Sequence, residues 1–136
     1  MKKKLCLIFV LIFVIVYACQ FSTIADNIST YNNNTSTTAS SFSISSSGEA
    51  IVYINFMGYQ GITTEGTINI TIEKRNLLVF WNEVVTDTIT VTGYMYDDEL
   101  YYQLPESGTY RCTVEYIISG TGGADDVITF TDKASY

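Results

Sequence analysis

The chain has 136 residues, a formal net charge of −7 and no histidine. Three of its seven basic residues, Lys2, Lys3 and Lys4, sit at the extreme N-terminus, so the remainder sets four cations against fourteen carboxylates. That balance argues against nucleic acid as a partner and disfavours anionic membrane surfaces, while the missing imidazole removes His-based acid–base chemistry and His-ligated metal sites.

Met1–Lys4 is a positively charged start, followed by an unbroken uncharged, mostly apolar run from Leu5 to Ala18. As a helix that run spans roughly 21 Å, short of the ~30 Å hydrocarbon core of a bilayer. Residues 1–25 therefore read as a signal segment for export through the Sec pathway, which places the protein outside the cell or on its surface. Thr23-Ile24-Ala25 suits ordinary cleavage after Ala25. Val16-Tyr17-Ala18-Cys19 resembles a bacterial lipobox, which would leave a lipidated Cys19 as the new N-terminus, although Tyr17 is large for its position. As plain alternatives, Cys19 is a small apolar residue flanking the run, or Leu5 to Phe21 stays as an uncleaved anchor. Membrane association is expected only through this segment or a lipid on Cys19.

Residues 26–48 are dominated by Asn, Ser and Thr and hold too little apolar surface to offset the entropy of ordering them. They read as a disordered spacer or a removable pro-segment. Phe42 and Ile44 alternate with serine and form at most a loose first strand. Four Asn-X-Ser/Thr triplets, at Asn27, Asn33, Asn34 and Asn69, read as chance matches in an Asn/Thr-rich chain.

From residue 49 to 136 apolar residues recur at every second position. Ile51–Phe56 is a strongly apolar strand. Thr67–Glu73 turns Ile68, Ile70 and Ile72 inward. Leu77–Trp81, a continuous apolar run after the connection Lys74-Arg75-Asn76, reads as a central strand. Thr86–Thr92 alternates again, Asp97-Asp98 reads as a turn, and Leu100–Leu104 stops at Pro105. Tyr110–Ile118 places Tyr110, Cys112, Val114, Tyr116 and Ile118 on one face. Val127–Thr131 closes the chain. Seven short strands with no helix to cross between parallel neighbours predict an all-β, seven-stranded antiparallel sandwich.

Ser107-Gly108-Thr109-Tyr110-Arg111-Cys112 resembles the corner before strand F of immunoglobulin-like domains. In those domains a tyrosine two residues before the cysteine bonds back to the upstream backbone. The resemblance implies that Trp81 is a core residue on strand C. No partner cysteine exists on the second strand, so Cys112 would be a buried free thiol. The stretch from Ile70 through Trp81 to Tyr116 also resembles a group of short secreted proteins of Gram-positive bacteria, uncharacterised in activity, which implies export and an Ig-like sandwich but no chemistry.

No catalytic group, cofactor or metal site emerges. Cys112 has no histidine to activate it, and Gly120-Thr121-Gly122-Gly123 opens no helix. Asp97-Asp98-Glu99 and Asp125-Asp126 would offer oxygen ligands to Ca²⁺ only if their turns met, and solvated turns, where Asp is favoured for its local hydrogen bonds, are the better account of them. Tyr94, Tyr96, Tyr101 and Tyr102 cluster around Asp97-Asp98 and are the candidate ligand-binding residues, though alternation sends Tyr101 and Tyr102 to opposite faces. The expected function is a secreted or surface-tethered, non-catalytic binding or adhesion module for an extracellular protein or glycan. An exported bacteriocin-like effector and a carbohydrate-binding module are the alternatives.

Overall fold

Inward positions assigned by period-two alternation are the ones this protein buries. The computed structural model describes residues 32–77 and 79–136. Among them are seven strands and no helix: β1 (Thr35–Ile44), β2 (Glu49–Gly58), β3 (Thr63–Asn76), β4 (Phe80–Thr92), β5 (Met95–Gln103), β6 (Thr109–Gly120) and β7 (Asp126–Ser135). They form two antiparallel sheets, ordered β1-β2-β5 and β4-β3-β6-β7. The core between them holds Val52, Ile54 and Phe56 from β2, Ile68, Ile70 and Ile72 from β3, and alternate residues of β6 from Tyr110 to Ile118. Each such side chain contributes about 1.5–3 kcal/mol of burial free energy. Gly66 is part of this fit: a Cβ there would stand 2.6 Å from the Phe56 ring.

The arrangement is the expected Ig-like sandwich, with one change. In the constant-type immunoglobulin domain the fourth strand pairs with the fifth. Here β4 pairs with β3, which leaves three strands facing four. The overhanging β4 therefore buries its inward residues Val85, Ile89 and Val91 only in part. Two tyrosines stitch the layers. Tyr116, on β6, donates its hydroxyl to Ala39 O at 3.0 Å and accepts Asn55 N–H at 3.3 Å across the core. Tyr102, on β5, donates to Asp87 on β4 at 2.8 Å and closes the open side. The tyrosine corner forms as the resemblance implied, with Tyr110 Oη donating to Glu106 O at 2.5 Å. Cys112 is a buried free thiol.

Three local expectations are corrected. The folded unit begins before residue 49: Thr35–Ile44, within the stretch expected as a disordered spacer, is strand β1, paired along β2. Ser and Thr suit an edge strand that buries one large side chain, Phe42, and the backbone ladder supplies the rest. Upstream, a buried polar clamp holds the start of β1. Asn33 N–H and Asn34 N–H donate to the two Asp126 oxygens at 2.8 and 2.7 Å, while Asn34 Nδ2 donates to Ala124 O at 3.0 Å. Asn34 is fully buried, so its glycosylation triplet is inaccessible in the folded protein.

Second, Leu77–Trp81 is not a central strand. Asn76 pairs with Phe80, so Leu77 and Val79 lie at the tip of the β3–β4 hairpin. Leu77 adopts a left-handed conformation at φ 46°, which costs a non-glycine residue about 1–2 kcal/mol. Trp81 leaves the core altogether. It lies half-buried on the outer face of the four-stranded sheet, with the Arg111 guanidinium 4.6 Å and the Lys133 ammonium 5.5 Å from its ring centroid. Third, Asp97-Asp98 is not a turn: both residues lie inside β5, and Gly93 (φ 124°) makes the bend before it. The signal segment, Cys19 and residues 26–31 lie outside the described residues.

Candidate functional site

The outer face of the three-stranded sheet is read directly from register. Ala50, Val52, Ile54 and Phe56 of β2 point inward, so Tyr102, Leu100, Asp98 and Tyr96, their partners on β5, share the core side. The intervening pairs, Ile51 with Tyr101, Tyr53 with Glu99, Asn55 with Asp97 and Met57 with Met95, form the outer face. Its flank on β1 is built of small residues, Thr37, Ala39, Ser41 and Ser43, which leave that side low and flat.

Hydrogen bonds fix this surface internally. Tyr53 Oη and Asn55 Nδ2 both donate to Asp97 Oδ2, at 3.1 and 3.0 Å. Tyr101 Oη donates to Glu99 Oε2 at 2.7 Å. The bond to Glu99 raises the Tyr101 pKa, so the phenol stays a neutral donor. Each carboxylate keeps free acceptor capacity toward solvent. Tyr101 is 55% exposed, Met95 52% and Met57 42%. Two planar rings, two flexible thioethers and a row of oriented acceptors thus occupy one face with no cation among them.

The four tyrosines singled out in the sequence do not form one patch. Only Tyr101 lies on this outer face. Tyr96 and Tyr102 line the core side of the open edge, where Tyr96 donates to Asp98 at 2.9 Å and Tyr102 to Asp87. Burial, and then the bond to Asp87, pushes the Tyr102 pKa well up. Tyr94 sits in the β4–β5 turn, and its carbonyl accepts Gly58 N–H. The opposite facing of Tyr101 and Tyr102 is as alternation required. Tyr53, Asn55, Asp97 and Glu99 were overlooked as a site. The signal was there: Tyr53 and Asn55 interrupt the apolar run of β2 at two of the positions that alternate with its buried residues.

The remaining chemistry-bearing groups are elsewhere. Burial, and then Asp132, raise the Cys112 thiol to about 12, where it is inert as a nucleophile. Asp97 and Asp98 point to opposite faces and Asp126 is occupied by the β1 clamp, so the acidic pairs do not converge. Among the described residues no group of three or more His, Cys, Asp or Glu side chains is placed to hold a metal ion. No protein-family model, curated protein or solved structure matches the chain.

Proposed function

We propose that this protein is a non-catalytic binding or adhesion module acting outside the cytoplasm, released or tethered at the surface, that grips its partner with the outer face of β2 and β5. One observation carries the reading: exposed Tyr101, Met57 and Met95 flank oriented carboxylates on a flat, cation-free sheet face. Isolated exposed apolar residues need no explanation, but aromatic rings set among fixed acceptors have the chemistry of a recognition surface. Such a face complements a partner rich in hydrogen-bond donors, either the basic surface of an extracellular protein or the hydroxyls of a glycan. Tyr53 and Tyr101 beside Asn55 and Asp97 favour the glycan as the second reading, because flat rings stack on sugar faces while carboxylates accept from their hydroxyls.

The effector alternative draws less support. It calls for processing near Gly48, and such a cut would remove β1 with Phe42 from the core.

The test is a binding screen of the exported protein against glycan arrays and against surface proteins of neighbouring cells, with Tyr101→Ala and Asp97→Asn as controls. Loss of the central aromatic is expected to weaken binding at least about tenfold, as for interface anchors in general. A protein ligand should release steeply with salt, and a neutral glycan should not. A ligand bound equally by wild type and both variants would remove this face from the reading.

A further inference from the structure

The β3–β4 hairpin carries an exposed apolar tip that the fold does not require. Leu77, Val79 and Phe80 are 78%, 70% and 63% exposed. Tight hairpin turns select Asn, Asp or Gly for their left-handed positions. Here Leu77 holds that conformation while presenting its side chain to solvent. Neither turn geometry nor core packing is served by the choice, and a cluster of exposed apolar side chains marks a contact surface.

What lies behind the tip identifies the contact. All four cations of the described residues, Lys74, Arg75, Arg111 and Lys133, are at this pole of the sandwich. Arg111 and Lys133 lie over the ring of Trp81, one residue past the tip. A groove of about 220 Å³ at the hairpin base is lined by Lys74, Arg75, Asn82 and Glu106, among others. Lys74 pairs with Glu106 and Arg111 with Glu73, both at 2.6 Å, so this pole is charge-balanced on a protein that is otherwise acidic. With every described cation gathered behind the tip, this pole is the part of the sandwich that complements a negative surface. The described chain begins at the far pole, where Asn33 and Asn34 meet Asp126, roughly 40 Å along β3 from the tip.

We propose that this hairpin is a membrane-contact element. Leu77, Val79 and Phe80 enter the apolar margin of a lipid bilayer, Trp81 sits at headgroup level, and Lys133, beside its ring, meets lipid phosphates. Three exposed side chains fall well short of the roughly 20–30 residues a side of a stable protein interface, but suffice to enter a fluid bilayer. This contact is independent of the β2–β5 face and adds a membrane association beyond the signal segment or a lipid on Cys19.

Trp81 is the sole tryptophan of the whole chain, so its fluorescence reports on the tip and not on the N-terminal segment. The full chain is mixed with vesicles of phosphatidylglycerol and phosphatidylcholine, and with phosphatidylcholine alone. A blue shift of Trp81 emission is expected on the anionic vesicles, with quenching by lipids brominated near the headgroup. The pair Leu77→Asn and Phe80→Ser should lower the vesicle affinity reported by Trp81 at least about tenfold. Lys133→Gln should lower it about fivefold. Leu77→Asn places a residue that accepts φ 46° at the turn, so its melting temperature should hold or rise, which separates lost binding from lost folding. Unchanged Trp81 emission, or vesicle binding that the tip variants do not alter, overturns the proposal. So does a tip-dependent dimer in sedimentation, which would make a second copy the occupant.

Discussion

Replacing Asp126 by alanine should unfasten the start of β1. Asp126 is 7% exposed, and its two oxygens accept the backbone N–H groups of Asn33 and Asn34 at 2.8 and 2.7 Å. Hydrogen bonds to a charged group contribute about 1.5–3 kcal/mol each, and part of that offsets the desolvation of the carboxylate. The expected net cost of Asp126→Ala is about 3 kcal/mol, a large share of the 5–15 kcal/mol typical of a domain. For a domain of this size that lowers the melting temperature by roughly 12–24 °C. Asp126→Asn retains one acceptor and should lose about half as much. Amides from Thr38 to Phe42 should exchange faster in both variants, because the β1–β2 ladder then frays from its upstream end.

The same clamp predicts a pH signature. Burial pushes the Asp126 pKa up, but the N–H bonds from Asn33 and Asn34 outweigh it and hold the carboxyl below its usual 3.8. A depressed folded-state pKa means the stabilisation is fully present above the unfolded value and is lost as pH falls through the folded one. The gap between wild type and Asp126→Asn should therefore be constant from pH 6 to 8 and close in acid, below about pH 4. Denaturant melts across pH measure it. An alanine variant within about 0.5 kcal/mol of wild type at pH 7, or a gap that does not narrow in acid, would refute the reasoning.

Two further outcomes follow from the core. Native protein at pH 8 should resist alkylation at Cys112, whose thiol burial raises to about 12, and labelling traced by peptide mass should appear only with denaturant. Rapid native labelling there would contradict its placement in the core. A chain starting at Glu49 lacks β1, leaves the β2 edge unpaired and removes Phe42 from its site, so it should aggregate or melt without cooperativity. A sharp transition at the wild-type temperature would show β1 to be dispensable.

Much of the fold was legible because strands report themselves locally. Ile68, Ile70 and Ile72, and Tyr110 through Ile118, alternate so cleanly that their inward faces needed no partner to identify. The tyrosine corner was legible for the same reason: its donor and acceptor lie four residues apart. Misreadings arose where local pattern and tertiary context diverge. Leu77–Trp81 is as apolar as a central strand, but the pairing of Asn76 with Phe80 made it a hairpin tip at a sheet edge. Thr35–Ile44 is as polar as a spacer, but the long-range clamp on Asp126 and the free edge of β2 made it a strand. The candidate tyrosines were found by proximity in sequence, and a pleated strand separates such neighbours onto opposite faces.

The amino-acid sequence by itself determined which side chains turn inward along each strong strand, because that depends only on the two-residue repeat of an extended backbone. It likewise settled the charge balance and the absence of imidazole. Only the tertiary structure decided which strands pair and in what register, and so that Tyr53 and Asn55 meet Asp97, that Tyr102 reaches Asp87, and that the four cations of the described residues gather behind an exposed apolar hairpin. Those juxtapositions join residues of different strands, and they exist only once the strands are paired and the sheets laid together.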